Sequence, residues 1–183
     1  ARAGVRRSKL YPEEYISTNI LGTQNIVDLC NKYNIKTLIF YSSSSVYGNH
    51  SILPITEESI KHPISLYGIT KLTGEYIVNT AKCQTIIIRP FTVYGENGRK
   101  DEVVQKWIEQ IKNGLPITIY GDKTSCRGYV CVKDLVEATV NLLNVCNTKA
   151  MHLDVNLGGS EVIYLNEIIK AFYEVLSDQI QVE

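Results

Sequence analysis

The apolar positions of this chain fall into two kinds of run, and their alternation sets the expected fold. Ile16, Ile20, Ile26, Val27 and Cys30 recur at the three-to-four-residue spacing of one helix face. Pro12, a residue suited to a first helical turn, precedes them, so a helix is predicted over residues 12–33. Lys36-Thr-Leu-Ile-Phe-Tyr41 shows no polar alternation and reads as a strand buried on both faces. It runs into Ser42-Ser-Ser-Ser-Val-Tyr-Gly48 and then a polar loop to about residue 65. A second helix is predicted over 65–82, and a second buried strand, Thr85-Ile-Ile-Ile-Arg89, stops at Pro90. Strand, helix and strand in this order imply an α/β class with a parallel sheet. Ligands of such sheets bind at the carboxyl ends of the strands, where both the serine run and the segment 90–99 fall.

Beyond Arg99 the pattern changes. A helix is expected over 101–113, closing at Gly114, then short strands around 117–120 and 127–132. A helix over 133–145, a strand over 152–157 and a helix over 165–176 complete the chain. These elements read as a smaller lobe mixed with the edge of the main sheet, giving a first domain over 1–98 and a second over 99–183.

Nineteen basic and nineteen acidic residues cancel, which argues against nucleic acid as the principal partner. No apolar run approaches the roughly 20 residues that cross a bilayer, so no membrane partner is expected. The first seven residues lack the apolar segment of a secretory signal. Five scattered cysteines without a close pair read as reduced thiols of a cytoplasmic protein. Asn49-His50-Ser51 then matches a glycosylation sequon by chance. His50, His62 and His152 are isolated, and no metal site is expected.

Tyr67-Gly-Ile-Thr-Lys71 places a phenol and an ammonium four residues apart on one helix face. A phenol with a pKa near ~10 is a poor base at neutral pH. A neighbouring ammonium favours the phenolate, and the same lysine can hydrogen-bond a ribose hydroxyl. Alone this spacing is common on helices. The four serines at the preceding strand end could equally be a polar turn whose hydroxyls satisfy loose backbone groups. Together, a serine at a strand end and Tyr-x-x-x-Lys on the next helix, about 24 residues on, form a Ser/Tyr/Lys set able to orient and deprotonate an alcohol.

At this point the chain resembles the extended short-chain dehydrogenases/reductases, in their NAD-dependent epimerase/dehydratase group. The matching segments are Ala3-Gly-Val-Arg6, Asn19-x-x-Gly-Thr-x-Asn25, the serine run, Leu66-Tyr-Gly-Ile-Thr-Lys71, Arg89-Pro-Phe-Thr-Val-Tyr-Gly95, Tyr120-Gly-Asp122 and Arg127-Gly-Tyr-Val-Cys-Val-Lys-Asp134. They occur in family order along essentially the whole chain. The resemblance implies the C-terminal part of a Rossmann-type parallel sheet carrying catalysis, and a nucleotide-sugar-binding lobe. It places Tyr67 as general base, Lys71 as ribose-binding lysine and Ser43 as catalytic hydroxyl, with Ser44 and Ser45 able to share that role. Arg2, Thr18 and the backbone at Phe91 fall at cofactor-lining positions. Thr92 falls where a side chain meets the sugar, Tyr120 and Arg127 around the nucleotide, and Arg99 where an arginine reaches a phosphate or a sugar carboxylate. Both arginines also read as solvated surface charges.

Ser44 and Ser45 stand where dehydratases of the group carry an acid, which favours epimerisation of the UDP-glucuronate or UDP-glucose kind. The implied reaction is a transient oxidation. Tyr67 removes the proton of the sugar 4-hydroxyl while hydride passes from C4 to NAD. The 4-keto sugar turns over, and hydride returns to its other face. The chain contains no GxxGxxG turn: Gly95-Glu-Asn-Gly98 is its one GxxG. It therefore reads as a fragment beginning after the family's fourth strand, and NADP stays open beside NAD because the residue that reads the ribose 2′ position belongs to that earlier segment. The resemblance further implies a homodimer through the helices at 12–33 and 65–82. Two other readings remain: a dehydratase or reductase of the same group, and a non-catalytic chain that binds nucleotide sugar or a partner protein.

Overall fold

The first apolar run after residue 36 does form a strand and pairs in parallel with the second, but it is half-buried with Tyr41 exposed rather than buried on both faces. In a computed structural model, which describes residues 1–50, 52–119, 125–146, 152–159 and 161–176, β1 is Thr37–Tyr41, β2 is Gln84–Pro90 and β5 is His152–Leu157. Their sheet has the order β1-β2-β5, all parallel. The central strand β2 is buried from Thr85 to Arg89, as a strand covered on both faces should be. Its register sets Ile88 opposite Tyr41 and Arg89 opposite Asn156. The serine run, Arg89 and Asn156 therefore arrive at one edge, the carboxyl ends of the strands.

This sheet belongs to a unit made of Ala1–Phe91 and Glu137–Leu157. Its helices are α1 (Val5–Leu10), α2 (Pro12–Tyr15), α3 (Gly22–Lys32) and α4 (Leu66–Val78), joined late in the chain by the second part of α6 (Val132–Cys146). Val27 of α3, Val78 of α4, Ala81 and Ile87 of β2 make the core, with Leu38 and Phe40 of β1 packed against them. Each such side chain contributes about 1.5–3 kcal/mol when fully buried.

The helix expected over 12–33 is present, but its inner face differs from the expectation. A π turn over Ile16–Leu21 joins α2 to α3 and widens the repeat. Tyr15, Asn19, Thr23, Val27 and Cys30 consequently point inward, while Ile16 and Ile26 are 43% and 49% exposed. Ile16 and Ile26 join Leu21, Leu29 and Tyr33 in an apolar face that nothing in the chain covers to the same degree as the core.

The remaining residues, Thr92–Val136 and Gly158–Glu183, form a second unit. Its sheet has the order β3-β4-β6, with β3 at Thr92–Tyr94, β4 at Cys126–Cys131 and β6 at Val162–Tyr164. β4 runs parallel to β3 and antiparallel to β6. Helices α5 (Val103–Lys112) and α7 (Leu165–Leu176) meet at Trp107, which is fully buried. The Trp107 ring stands edge-on to Phe172, with centroids 5.7 Å apart, and its Nε1 donates to the Thr118 carbonyl at 3.0 Å. Of the strand expected around 117–120, the described residues show a single β-bridge position at Ile117. Ile117 packs against Trp107, and residue 120 lies outside the described residues. The short elements α1, β3 and β6 were not anticipated, since three to six residues carry too little periodicity to stand out.

Helix α4 is set close to the serine run by a glycine. Ser65 caps it, its Oγ accepting the Gly68 N–H at 3.0 Å. A Cβ at Gly68 would sit 2.5 Å from the Ser45 carbonyl oxygen, backbone that cannot swing away. We therefore expect Gly68→Ala to destabilise the chain by about 1–3 kcal/mol in urea unfolding, the overpacking outweighing the ~1 kcal/mol that alanine gains as a helix former. An unchanged midpoint would show that this approach is not as tight as described.

Candidate active site

The first helical turn of α4 carries Tyr67, and it is held from three sides. Its backbone N–H donates to Ser8 Oγ at 3.2 Å, and Ser8 is itself fully buried. The Tyr15 ring meets the Tyr67 ring edge-on, with centroids 6.3 Å apart. The neighbouring Gly68 brings this turn against Ser45. Tyr67 remains half-buried, as a side chain that meets a ligand must.

Lys71 follows one turn later and is only 2% exposed. Its Nζ lies 4.2 Å from the centroid of the Phe40 ring, a cation–π contact. Burial pushes its pKa down from 10.5 to about 8, and Glu75, four residues further along the helix, pushes the other way. A buried ammonium on the same helix face as a phenol is a means of favouring the phenolate.

The four serines separate by role. Ser42 is buried, and its Oγ donates to Glu75 Oε1 at 2.5 Å, so it faces the helix. Ser43 is half-buried, with its Oγ accepting the Ser45 N–H at 3.2 Å to cap a short 3₁₀ turn over Ser44–Val46. Its hydroxyl proton is not used in that cap. The register of β1 thus turns Ser42 to the helix and leaves Ser43, the serine expected to act, outside that contact.

Asn19, in the π turn, ties the amino-terminal segment to α4. It accepts the Arg2 N–H at 2.6 Å and donates to the Arg2 carbonyl at 3.0 Å and to Thr70 Oγ1 at 3.1 Å. Arg2 is thereby placed beside the helix of Tyr67 and Lys71, with its side chain on Glu14 at 2.9 Å. Thr18, next to Asn19, is exposed. Phe91 ends the unit, its N–H donating to the Leu157 carbonyl at 2.9 Å.

Four further expected residues belong to the second unit. Thr92 opens β3 and lines a small cleft with Glu102, Gln105 and Tyr129. Burial raises the pKa of both Glu102 and Tyr129. Arg99 is bound by the Asp101 carboxylate at 2.9 Å and by Glu102 at 3.4 Å, contacts it would have to exchange to reach a phosphate. Arg127 is exposed on β4, and Tyr120 lies outside the described residues. No group of His, Cys, Asp or Glu that could hold a metal occurs among the described residues.

Sequence reasoning passed over the charged network under the site. Arg89 is fully buried and grips Glu75 with two hydrogen bonds, of 2.8 and 2.9 Å. It also donates to Asp154 and to the Tyr47 hydroxyl, at 3.0 Å in the latter case. Burial alone would weaken its charge, but Glu75 and then Asp154 hold it fully ionised. The available signals were a charged residue inside the apolar strand 85–89 and an acid four residues beyond Lys71.

The chain is similar to known proteins. The model of the NAD dependent epimerase/dehydratase family matches residues 1–158. Protein CapI of Staphylococcus aureus is 40% identical over 148 residues, 78% of this chain and 44% of that protein. A UDP-glucuronate 4-epimerase of Thermodesulfobacterium geofontis is 34% identical over 176 residues, 93% of this chain and 53% of its own. The chain thus spans about half the length of the curated relatives it matches. The crystal structure of UDP-glucuronic acid 4-epimerase from Bacillus cereus, in complex with UDP-glucuronic acid and NAD, superposes with a TM-score of 0.90 at 31% identity, covering 100% of this chain and 59% of that one. With a Rossmann-type parallel sheet and Tyr67 and Lys71 on the helix beside the serine run, the chain belongs to the NAD dependent epimerase/dehydratase family.

Proposed function

We propose that this chain is the catalytic and sugar-binding portion of an NAD-dependent UDP-sugar 4-epimerase. The observation that carries the reading is Lys71, a buried ammonium one turn from Tyr67 on a helix packed against the serine run. Burial of an amine is expensive, and a chemical role for its charge accounts for it.

In this reading the 1–98 region carries the chemistry and the 99–183 region most of the nucleotide-sugar site. Tyr67 takes the proton of the sugar 4-hydroxyl and returns it to the 4-keto oxygen at the end of the cycle. Ser43 donates a hydrogen bond to the same oxygen and keeps it oriented. Lys71 holds Tyr67 ionised and donates to a ribose hydroxyl of the cofactor. NAD, when bound, supplies the hydride acceptor and donor. The donor set fits it: a buried ammonium and a phenol at the carboxyl ends of parallel strands suit the ribose end of a dinucleotide. Arg2, Thr18 and the Phe91 backbone would line it. Thr92 meets the sugar, Arg127 and Tyr120 the nucleotide, and Arg99 a phosphate or the sugar carboxylate. UDP-sugar as substrate is supported by the relatives' names and by the serine run, which carries no acid before Val46-Tyr47-Gly48.

We further assign a homodimer and a cytoplasmic setting. The apolar face of Leu21, Ile26, Leu29 and Tyr33 is 47–62% exposed, and Ile69 and Tyr76 of α4 are 47% and 65% exposed. An apolar surface of this kind on two neighbouring helices suits a second copy of the same surface. Cys30, Cys83, Cys126 and Cys131 are free thiols, in keeping with a reducing compartment. No described helix is long and apolar enough to cross a membrane.

Tyr67→Phe in the natural full-length protein should lower epimerase turnover with UDP-glucuronate and UDP-glucose by at least about 10²-fold, the typical worth of a general base. Near-normal turnover would sink the assignment. Lys71→Met should abolish activity yet stabilise the chain at pH 7 by about 1–3 kcal/mol, because a desolvated charge is removed. The sign follows from the lowered pKa. The unfolded chain binds more protons than the folded one between about 8 and 10.5, so the penalty is complete below that window and gone above it. Urea unfolding of both forms at pH 7 and near pH 11 measures it. Replacing Leu29 and Tyr76 together by arginine should convert a dimer to a monomer in light scattering, with the circular dichroism spectrum retained.

A further inference from the structure

Glu75 is a carboxylate that the reaction does not consume, yet four parts of the first unit converge on it. It lies four residues beyond Lys71 on α4, so the two side chains share a helix face. It is 2% exposed. Arg89 of β2 binds its two oxygens at 2.8 and 2.9 Å, and Ser42, at the end of β1, donates at 2.5 Å. Lys61 of the loop after the serine run lies 3.4 Å away. Through Arg89 the network reaches Asp154 of β5, and through the Tyr47 hydroxyl it reaches Asn156 at 2.7 Å. Apolar side chains of similar size would fill such a space with no loss of stability, so the ion pair itself is not explained by folding.

The charges suggest what it is for. Glu75 and Asp154 balance Arg89 and Lys61. Lys71 adds one further positive charge to this cluster, with Glu75 the carboxylate on its own helix face. We propose that Glu75 is a positioning residue for Lys71 and Tyr67: it pins their helix to the carboxyl ends of β1, β2 and β5, and its charge keeps the buried Lys71 ammonium protonated. This rests on the reading of Tyr67 and Lys71 given above. The Phe40 ring of β1 lies against the Lys71 ammonium, Tyr67 and Glu75 stand one turn before and after it on the same helix face, and Ser42, Arg89, Lys61 and Asp154 reach it only through Glu75. Of these, Glu75 opposes the effect of burial on the ammonium.

The test is a lysine titration, which needs no turnover. In the chain labelled with ¹³C at lysine Cε, the Lys71 resonance is identified by its loss in Lys71→Arg, and its midpoint is followed by NMR. Glu75→Gln should lower that midpoint by about one pH unit or more, while Glu75→Asp, which retains the charge, should hold it near the unsubstituted value. Glu75→Gln strands a buried guanidinium and could fail to fold. The double variant Glu75→Gln/Arg89→Gln strands none and should lower the midpoint in the same direction. A midpoint unmoved in the folded double variant, or one that falls equally in Glu75→Asp, overturns the proposal. Normal turnover of Tyr67→Phe would overturn the catalytic reading instead, and would leave the Glu75–Lys71 coupling standing.

Discussion

At the carboxyl end of the central strand sits a guanidinium with no solvent contact, and the arrangement around it follows from that constraint. Arg89 cannot be desolvated without partners, so Glu75 on the helix, Asp154 on the next strand and the Tyr47 hydroxyl are drawn to it. Each partner fixes a different element against β2. Taking away one member would leave a buried charge unmatched, at a cost of about 3–5 kcal/mol, whereas the complete network is close to neutral. The helix that carries Tyr67 and Lys71 is thereby given one position.

Two smaller devices complete that placement. The π turn widens the repeat of the preceding helix so that Asn19 faces inward, where it joins the Arg2 backbone to Thr70. The absence of a side chain at Gly68 lets the start of α4 touch the Ser45 backbone. Both devices fix the start of α4 against neighbouring backbone of the first unit.

The second unit is organised differently. Its core gathers on Trp107, and its polar residues Thr92, Glu102, Gln105 and Tyr129 border one cleft on the β3-β4 side. Arg99 is engaged by carboxylates and Arg127 is solvated. Such pairs are readily exchanged, since a surface ion pair costs little to break.

Hydrophobic periodicity alone was enough to predict the parallel strands, the burial of β2 though not of β1, the helices at 65–82 and 165–176 and the strand at 152–157, because these runs are long and the spacing is a local property. Tyr67 and Lys71 were equally legible, since four residues on a helix always share a face. Three things were not. The inner face of the 12–33 helix was only half read: Val27 and Cys30 face inward as expected, but across the π turn Tyr15, Asn19 and Thr23 complete the face in place of Ile16. The role of Ser42 was not legible because strand register decides which hydroxyl meets Glu75. Arg89, Asp154 and Glu75 looked unrelated because 65 residues separate Arg89 from Asp154. Sequence by itself determined which groups could do chemistry; only the tertiary structure decided which charges meet, because a buried charge is stable only beside partners that distant segments bring to it.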